Sequence, residues 1–307
     1  MCRPKDWRIP GRRVSNTLNL FKQARAALSL LNPEEVQRAA ERPVSFGLVA
    51  ARGGYPELED FLLPPGATGE PRMVLMERIH RAGDPDAPDT VDVVLYGHGI
   101  PGEQGAFTYN RDDPQTTVAQ ILKDRSDLLL PLARQFPAFR KAAVERIVQT
   151  VARENALFAF ATALPDVVPS LVELPWTFGE FASDTAFLTG NQVRMAFQIA
   201  ACCGRDAGVA RQKGEVISIV ASAFGWRAMA RELAGKIPFG GGLVAKSAIA
   251  YAGTVVMGKG LEYLYHANVS YPRELRRAAY REAFERGKQI AAGLLQRKAE
   301  DRAAASD

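Results

Sequence analysis

The chain has 307 residues, 47% of them hydrophobic and 24% charged, which is enough apolar material for a buried core and excludes a chain disordered throughout. Its formal net charge is +5, but residues 1–25 carry seven Lys or Arg against Asp6 alone, so the first 25 residues hold +6 and the rest of the chain −1. The basic character belongs to one end, which excludes a general nucleic-acid-binding surface. No nucleic-acid partner is expected.

Residues 1–13 read as an arm punctuated by Pro4, Pro10 and Gly11. Ser15 or Asn16 can cap a helix to about Leu31, with Leu18, Phe21, Leu28 and Leu31 near helical spacing and Lys22 and Arg25 between them. A basic amphipathic segment of this kind suits an anionic membrane surface or an acidic protein partner. No apolar run closely follows the basic start, so no signal peptide is expected. Asn32-Pro33-Glu34-Glu35 starts a second helix: a capping Asn, Pro at the first helical position, and acids at the positive end of the dipole. Residues 1–42 are therefore read as a basic arm with amphipathic helices.

A change of pattern marks residues 43–115 as a small α/β unit. Val44–Ala51, Met73–Ile79 and Val91–Tyr96 have strand length and composition, predicting a three-stranded sheet. Gly53-Gly54 turns the chain after the first strand, and Pro56–Leu63 is a candidate helix. From about Thr116 the pattern is helical, and 116–300 is assigned to a multi-helix domain. Helices are predicted through 117–136 and 141–164. Pro165, Pro169 and Pro175 then break the chain. Further helices are expected at 184–203, 214–235, 238–265 and 272–298. The fold class expected is α+β and predominantly helical.

More than half of residues 237–260 are Gly, Ala, Ser or Val, which allow helix backbones to approach closely. Pro238, Gly240, Gly241 and Gly242 read as its turn, and Ala248, Ala252 and Gly258 as its packing surface. Lys246 divides the segment, and the charge-free run after it, 247–258, has 12 residues. A membrane-spanning helix needs about 20 predominantly apolar ones. A close-packed helix within a helical core, seated in the cytoplasm or peripherally at a membrane, is the expectation.

The chemistry-bearing residues are few. Ala51-Arg52-Gly53-Gly54-Tyr55-Pro56-Glu57 lies where a phosphate loop would lie, but it lacks the Lys and the Ser/Thr that hold phosphate and magnesium. Pro56 removes an amide donor, and Glu57 and Glu59 would repel an anion. His98 sits in a loop after a strand, a common place for functional residues. No His or Cys pair has metal-ligand spacing, so no metal or cofactor is expected. Cys202 and Cys203 lie in an apolar run that suits packing rather than redox chemistry. Asp166, Glu173, Glu180 and Asp184 fall in apolar surroundings, where a carboxylate must be paired or hydrogen-bonded. Asn191, Gln192, Arg194 and Lys246 are their candidate partners, with Lys246 expected to meet an upstream carboxylate. The set is read as a structural polar network, with a proton- or ligand-handling site as the functional alternative.

Asp184–Met195 with Gly204, Ile237–Gly242 followed by Ala248, Ala252, Thr254 and Gly258, and the closing Tyr280, Ala283 and Gly287-Lys288 together resemble the YcjF-like domain of unknown function. The resemblance covers about residues 140–290. It implies a mostly helical bacterial domain of a kind often found C-terminal to an Era-like small GTPase domain, with some members described as membrane proteins. It carries over no catalytic residue. Two departures stand out. Pro165 to Pro175 lengthen the segment before Asp184, and the region where a GTPase would sit is short and lacks the lysine loop. Val91–Gly97 looks like a GTPase core strand, yet no [NT]KxD motif follows it. The α/β unit is accordingly read as a degenerate GTPase-like remnant. The expected function is that of a non-enzymatic helical accessory or scaffold protein. Its candidate partners are a GTPase or other protein, an anionic surface such as the inner membrane, and further copies of itself. The alternatives are a nucleotide-responsive switch with an atypical phosphate site and a small-molecule enzyme using the Asp/Glu cluster.

Overall fold

The computed structural model describes residues 32–51, 53–66, 72–163, 184–208, 211–216, 218–219 and 241–304. The predicted arm and first helix, and the carboxylates Asp166, Glu173 and Glu180, lie outside them, as do Pro238 and Gly240 and nearly all of the helix predicted at 214–235. The fold is α+β and mostly helical.

Helix α1 spans Pro33–Glu41, and the Asn32 side chain accepts a hydrogen bond from the Glu35 amide at 3.2 Å, as a cap should. Four strands follow with helices between them: β1 Phe46–Val49, α2 Tyr55–Leu62, α3 Arg72–Met76, β2 Ile79–Arg81, β3 Val93–Tyr96 and β4 Phe107–Thr108. The sheet is wholly parallel, in the order β2-β1-β3-β4, with Phe46 opposite both Ile79 and Val93 and Leu95 opposite Phe107.

Two expectations are corrected here. The sheet has four strands rather than three; β4 is two residues long, too short to leave a period-2 signature. The strand predicted at 73–79 is instead α3 followed by β2. Parallel neighbours require a crossover, so the chain must travel back along the sheet before β2 can form. Within α3 only Leu75 is buried, while Met73 is 80% exposed.

The helical part begins with α4 (Pro114–Asp124), a short 3-10 turn at Ser126–Leu128, α5 (Leu129–Gln135) and α6 (Pro137–Ala161). The helix predicted through 117–136 is thus broken near Arg125, whose guanidinium binds Asp127 at 3.0 Å and also the Asp92 carbonyl. Helix α7 covers Asp184–Cys202, α8 Gly241–Ala267 and α9 Arg273–Ala304. Helices α6, α7 and α8 pack on one another, and α9 lies along α8. Asn268, in the left-handed region at φ 53°, turns the chain between α8 and α9.

One hydrophobic core runs through the sheet and the helices. Phe46 of β1 meets Phe136 edge-on at 4.8 Å and Phe139 at 6.2 Å, and Phe61 of α2 meets Tyr109 at 4.9 Å. Gln135 ties the same junction: its carbonyl accepts from the Val44 amide at 3.2 Å and from Arg78 at 2.6 Å, and its amide donates to the Arg42 carbonyl at 2.6 Å. Among the described residues no helix is long and apolar enough to cross a membrane.

Candidate functional site

Two places in this fold gather the polar residues singled out from the sequence. The first is the interior of the α6, α7 and α8 bundle. Asn155 on α6 is fully buried and donates to Thr254 Oγ1 on α8 at 2.9 Å, while it accepts from Asn191 of α7 at 3.0 Å. Gln192 of α7 also donates to Thr254 Oγ1, at 3.3 Å, and that hydroxyl donates to the Ala250 carbonyl at 2.8 Å. Four side chains on three helices therefore form one connected network. All its members are amides or a hydroxyl, so it holds no proton that titrates near neutral pH.

Arg194, one α7 turn away, pairs with Glu154 of α6. Burial pushes the Glu154 carboxyl above its ordinary value, and Arg194 opposes the shift. Lys246 donates to Thr162 Oγ1 at 3.1 Å. Of Asp184 the structure describes only the backbone, at the start of α7. Asn191 and Gln192 thus sit in the polar network, with Arg194 on Glu154 and Lys246 on Thr162. The network members missing from the sequence-derived polar set are Asn155 and Thr254, and the partner of Arg194 missing from it is Glu154; Glu154 and Asn155 carry a signal, two polar residues just before the apolar run Ala156–Ala161 that must find partners.

The small residues sit at two close approaches. Ala248 and Ala252 are fully buried on α8. A Cβ placed on Gly287 of α9 would lie 2.8 Å from the Ala248 Cα, and one on Gly258 of α8 would lie 2.8 Å from Cγ1 of Val148 on α6. Gly241 and Gly242 open α8. Cys202 is buried, and desolvation pushes its thiol well above the usual range; Cys203 shifts the same way for the same first cause. The carbonyl of Cys202 at the end of α7 accepts from Arg140 at 3.0 Å, a favourable place for a cation.

The second place is the carboxyl edge of the sheet. The chain leaves β1 for β2 on one side and later crosses to β3 on the other, so the crevice between β1 and β3 is a topological switch point, where parallel α/β folds bind ligands. The loops after those strands meet there. The Gly97 amide donates to the Val49 carbonyl at 2.8 Å, and a Cβ on Gly97 would lie 3.4 Å from that of Ala50. Gly53, Gly54 and His98 therefore share one edge. Gly54 caps α2 with no side-chain hydrogen bond.

Two bidentate pairs lace α2 to the outer strands at this edge. Arg111, just beyond β4, holds Glu57 in the first turn of α2 with its Nε at 2.6 Å, and its Nη2 binds the other carboxylate oxygen. Arg81, at the end of β2, holds Glu59 at 2.7 and 3.0 Å and lies 5.2 Å from the centre of the Tyr55 ring. The Arg111 hydrogen bond lowers the Glu57 carboxyl below its ordinary value, and His98 adds to the effect through its charge. At the helix N-terminus, where a bound anion would sit, the chain thus presents a carboxylate of its own. Pro56 has already removed one amide donor there. Among the described residues no three His, Cys, Asp or Glu side chains are grouped as metal ligands.

No protein-family model, no curated protein and no solved structure matches the chain.

Proposed function

We propose that this chain is a non-enzymatic helical accessory protein that attaches peripherally to an anionic membrane surface. The observation that carries the reading is the charge segregation: +6 within residues 1–25 on a chain that is otherwise −1. Each Lys or Arg near an anionic leaflet contributes about 1 kcal/mol, so a basic arm of this size is enough for reversible attachment at low salt. The helical bundle supports a scaffold role, because its buried polar groups brace helices to one another. The self-filled α2 N-terminus, with Glu57 held by Arg111, supports it as well. The reading agrees with the YcjF-like resemblance, on which a GTPase is the natural protein partner.

Co-sedimentation with phosphatidylserine-containing vesicles tests it. Binding is expected at low ionic strength and is expected to weaken by about tenfold or more near 0.5 M salt, where the Debye length falls to a few ångströms. Pure phosphatidylcholine vesicles should bind little. No binding to anionic vesicles at either salt overturns the reading.

A second reading, a nucleotide-responsive switch, is favoured by the strand order β2-β1-β3-β4 and by the meeting of the Gly53-Gly54 and Gly97–Gly99 loops at its switch point. Equilibrium dialysis with magnesium GTP and ATP decides it. Retention of neither at millimolar nucleotide, by the wild type and by Glu57→Gln alike, removes it.

A further inference from the structure

The turn between α8 and α9 has a composition that the helical core does not explain. Val269 and Leu275 are 49% and 48% exposed, among the most exposed large hydrophobic side chains of the described residues. Isolated exposed apolar residues are ordinary. Val269 lies in the turn itself and Leu275 at the start of α9; between them in the chain, Tyr271 meets Tyr263 of α8 with ring centres 4.8 Å apart. Arg273, Arg276 and Arg277 lie at the start of α9 and are exposed. None of the three has an ion pair with another described residue, whereas most arginines of the sheet edge are paired. Glu274 is the one acid within 273–277, and Glu262 and Glu282 stand beside Tyr271 and Leu275 together with Lys141 and Lys259. Beside the turn, a cavity of about 590 Å³ is lined by Val256, Met257 and Leu264 of α8, by Glu215, and by Tyr271 and Arg276.

We infer that the α8–α9 turn is a membrane-contact tip, which seats Val269 and Leu275 among the headgroups of an anionic bilayer and sets Arg273, Arg276 and Arg277 against its phosphates and carboxylates. Exposed apolar side chains next to three arginines without an ion pair among the described residues suit that surface better than they suit a purely electrostatic partner. Tyrosines are the residues expected at headgroup depth, because their rings are apolar and their hydroxyls are wet. The inference rests on the proposed membrane attachment and adds a second point of contact, one fixed on rigid helices.

The test uses the full chain and vesicles of phosphatidylserine and phosphatidylcholine. Val269→Asp/Leu275→Asp removes the apolar contact, and Arg276→Glu/Arg277→Glu reverses two charges. These side chains are exposed, so thermal melts of both variants should match the wild type. Each variant is expected to bind about tenfold more weakly or worse at low salt. An Arg12→Gln/Arg13→Gln variant reports on the arm separately. Wild-type binding that both tip variants retain in full overturns the tip and leaves the arm as the attachment. Absence of wild-type binding overturns both.

Discussion

Replacing Gly287 with alanine is expected to lower the melting temperature by several degrees, although the same change elsewhere in these helices raises it. Alanine is favoured over glycine in a helix interior by about 1 kcal/mol, so a glycine in an open position is a stability loss waiting to be recovered. Gly260 and Gly293 are such positions, with nothing within 4 Å of an added Cβ. At Gly287 the added atom would lie 2.8 Å from the Ala248 Cα and 3.2 Å from its carbonyl oxygen. Backbone cannot rotate away, so α8 and α9 must part along their length. Overpacking costs about 1–3 kcal/mol and more when backbone must shift, which outweighs the propensity gain. Gly258 tests the sign more sharply, because its neighbour is a side chain. Val148 is β-branched and on a helix, so it has one favoured rotamer and cannot swing clear. Gly258→Ala is expected to cost about 2 kcal/mol in wild type and to become stabilising in a Val148→Ala background. Urea denaturation of the four proteins in that cycle measures the coupling. Additive effects would mean that α6 and α8 do not approach as closely as the structure places them.

This pair of glycines also marks where sequence was informative. The 237–260 segment displays its purpose in composition, because so many small residues recurring along one long helix have few uses other than close approach. The partner surface could not be read the same way. Gly287 sits in a highly charged helix, and nothing local says that it faces Ala248. The sheet divides similarly. Val91–Tyr96 was legible because Val93 to Tyr96 are apolar and bounded by turn residues. Met73–Met76 misled, because a short apolar run does not distinguish strand from helix. What decided it was a non-local demand, the crossover needed to bring β2 parallel to β1. At the candidate sites the charges were legible and their pairings were not. Glu57 was recognisable as hostile to phosphate, yet its partner Arg111 lies 54 residues away. Lys246 was expected to meet a carboxylate; its described hydrogen bond is to Thr162, and Asp166, Glu173 and Glu180 fall outside the described residues.

Thr254→Val is expected to be among the most destabilising single substitutions in the bundle, although it changes the side chain's shape very little. The Thr254 hydroxyl accepts from both Asn155 and Gln192, and it is fully buried. A methyl group in its place leaves two buried amide donors without that acceptor. Each orphaned donor costs about 1–3 kcal/mol, so a loss of roughly 3–4 kcal/mol is expected. No compensating gain comes from removing the Thr254 donation to the Ala250 carbonyl, since that carbonyl already lies in a helical ladder. Thr254→Ser keeps the oxygen and loses one methyl, so it should cost about 1 kcal/mol, the cost of a small cavity. Converting the whole network to apolar residues, with Asn155→Leu, Asn191→Leu and Gln192→Leu added to Thr254→Val, should recover much of the loss, because no donor is then left unpaired. The recovered protein would show what the network contributes besides stability. The hydrogen bonds fix the rotation of α6, α7 and α8 about their axes, a constraint that leucine packing does not impose. Broadened side-chain signals in the all-apolar variant, at restored denaturation midpoint, would identify Thr254 and its partners as a register lock. Sharp, wild-type-like signals would reduce them to a hydrogen-bond network that hydrophobic packing can replace.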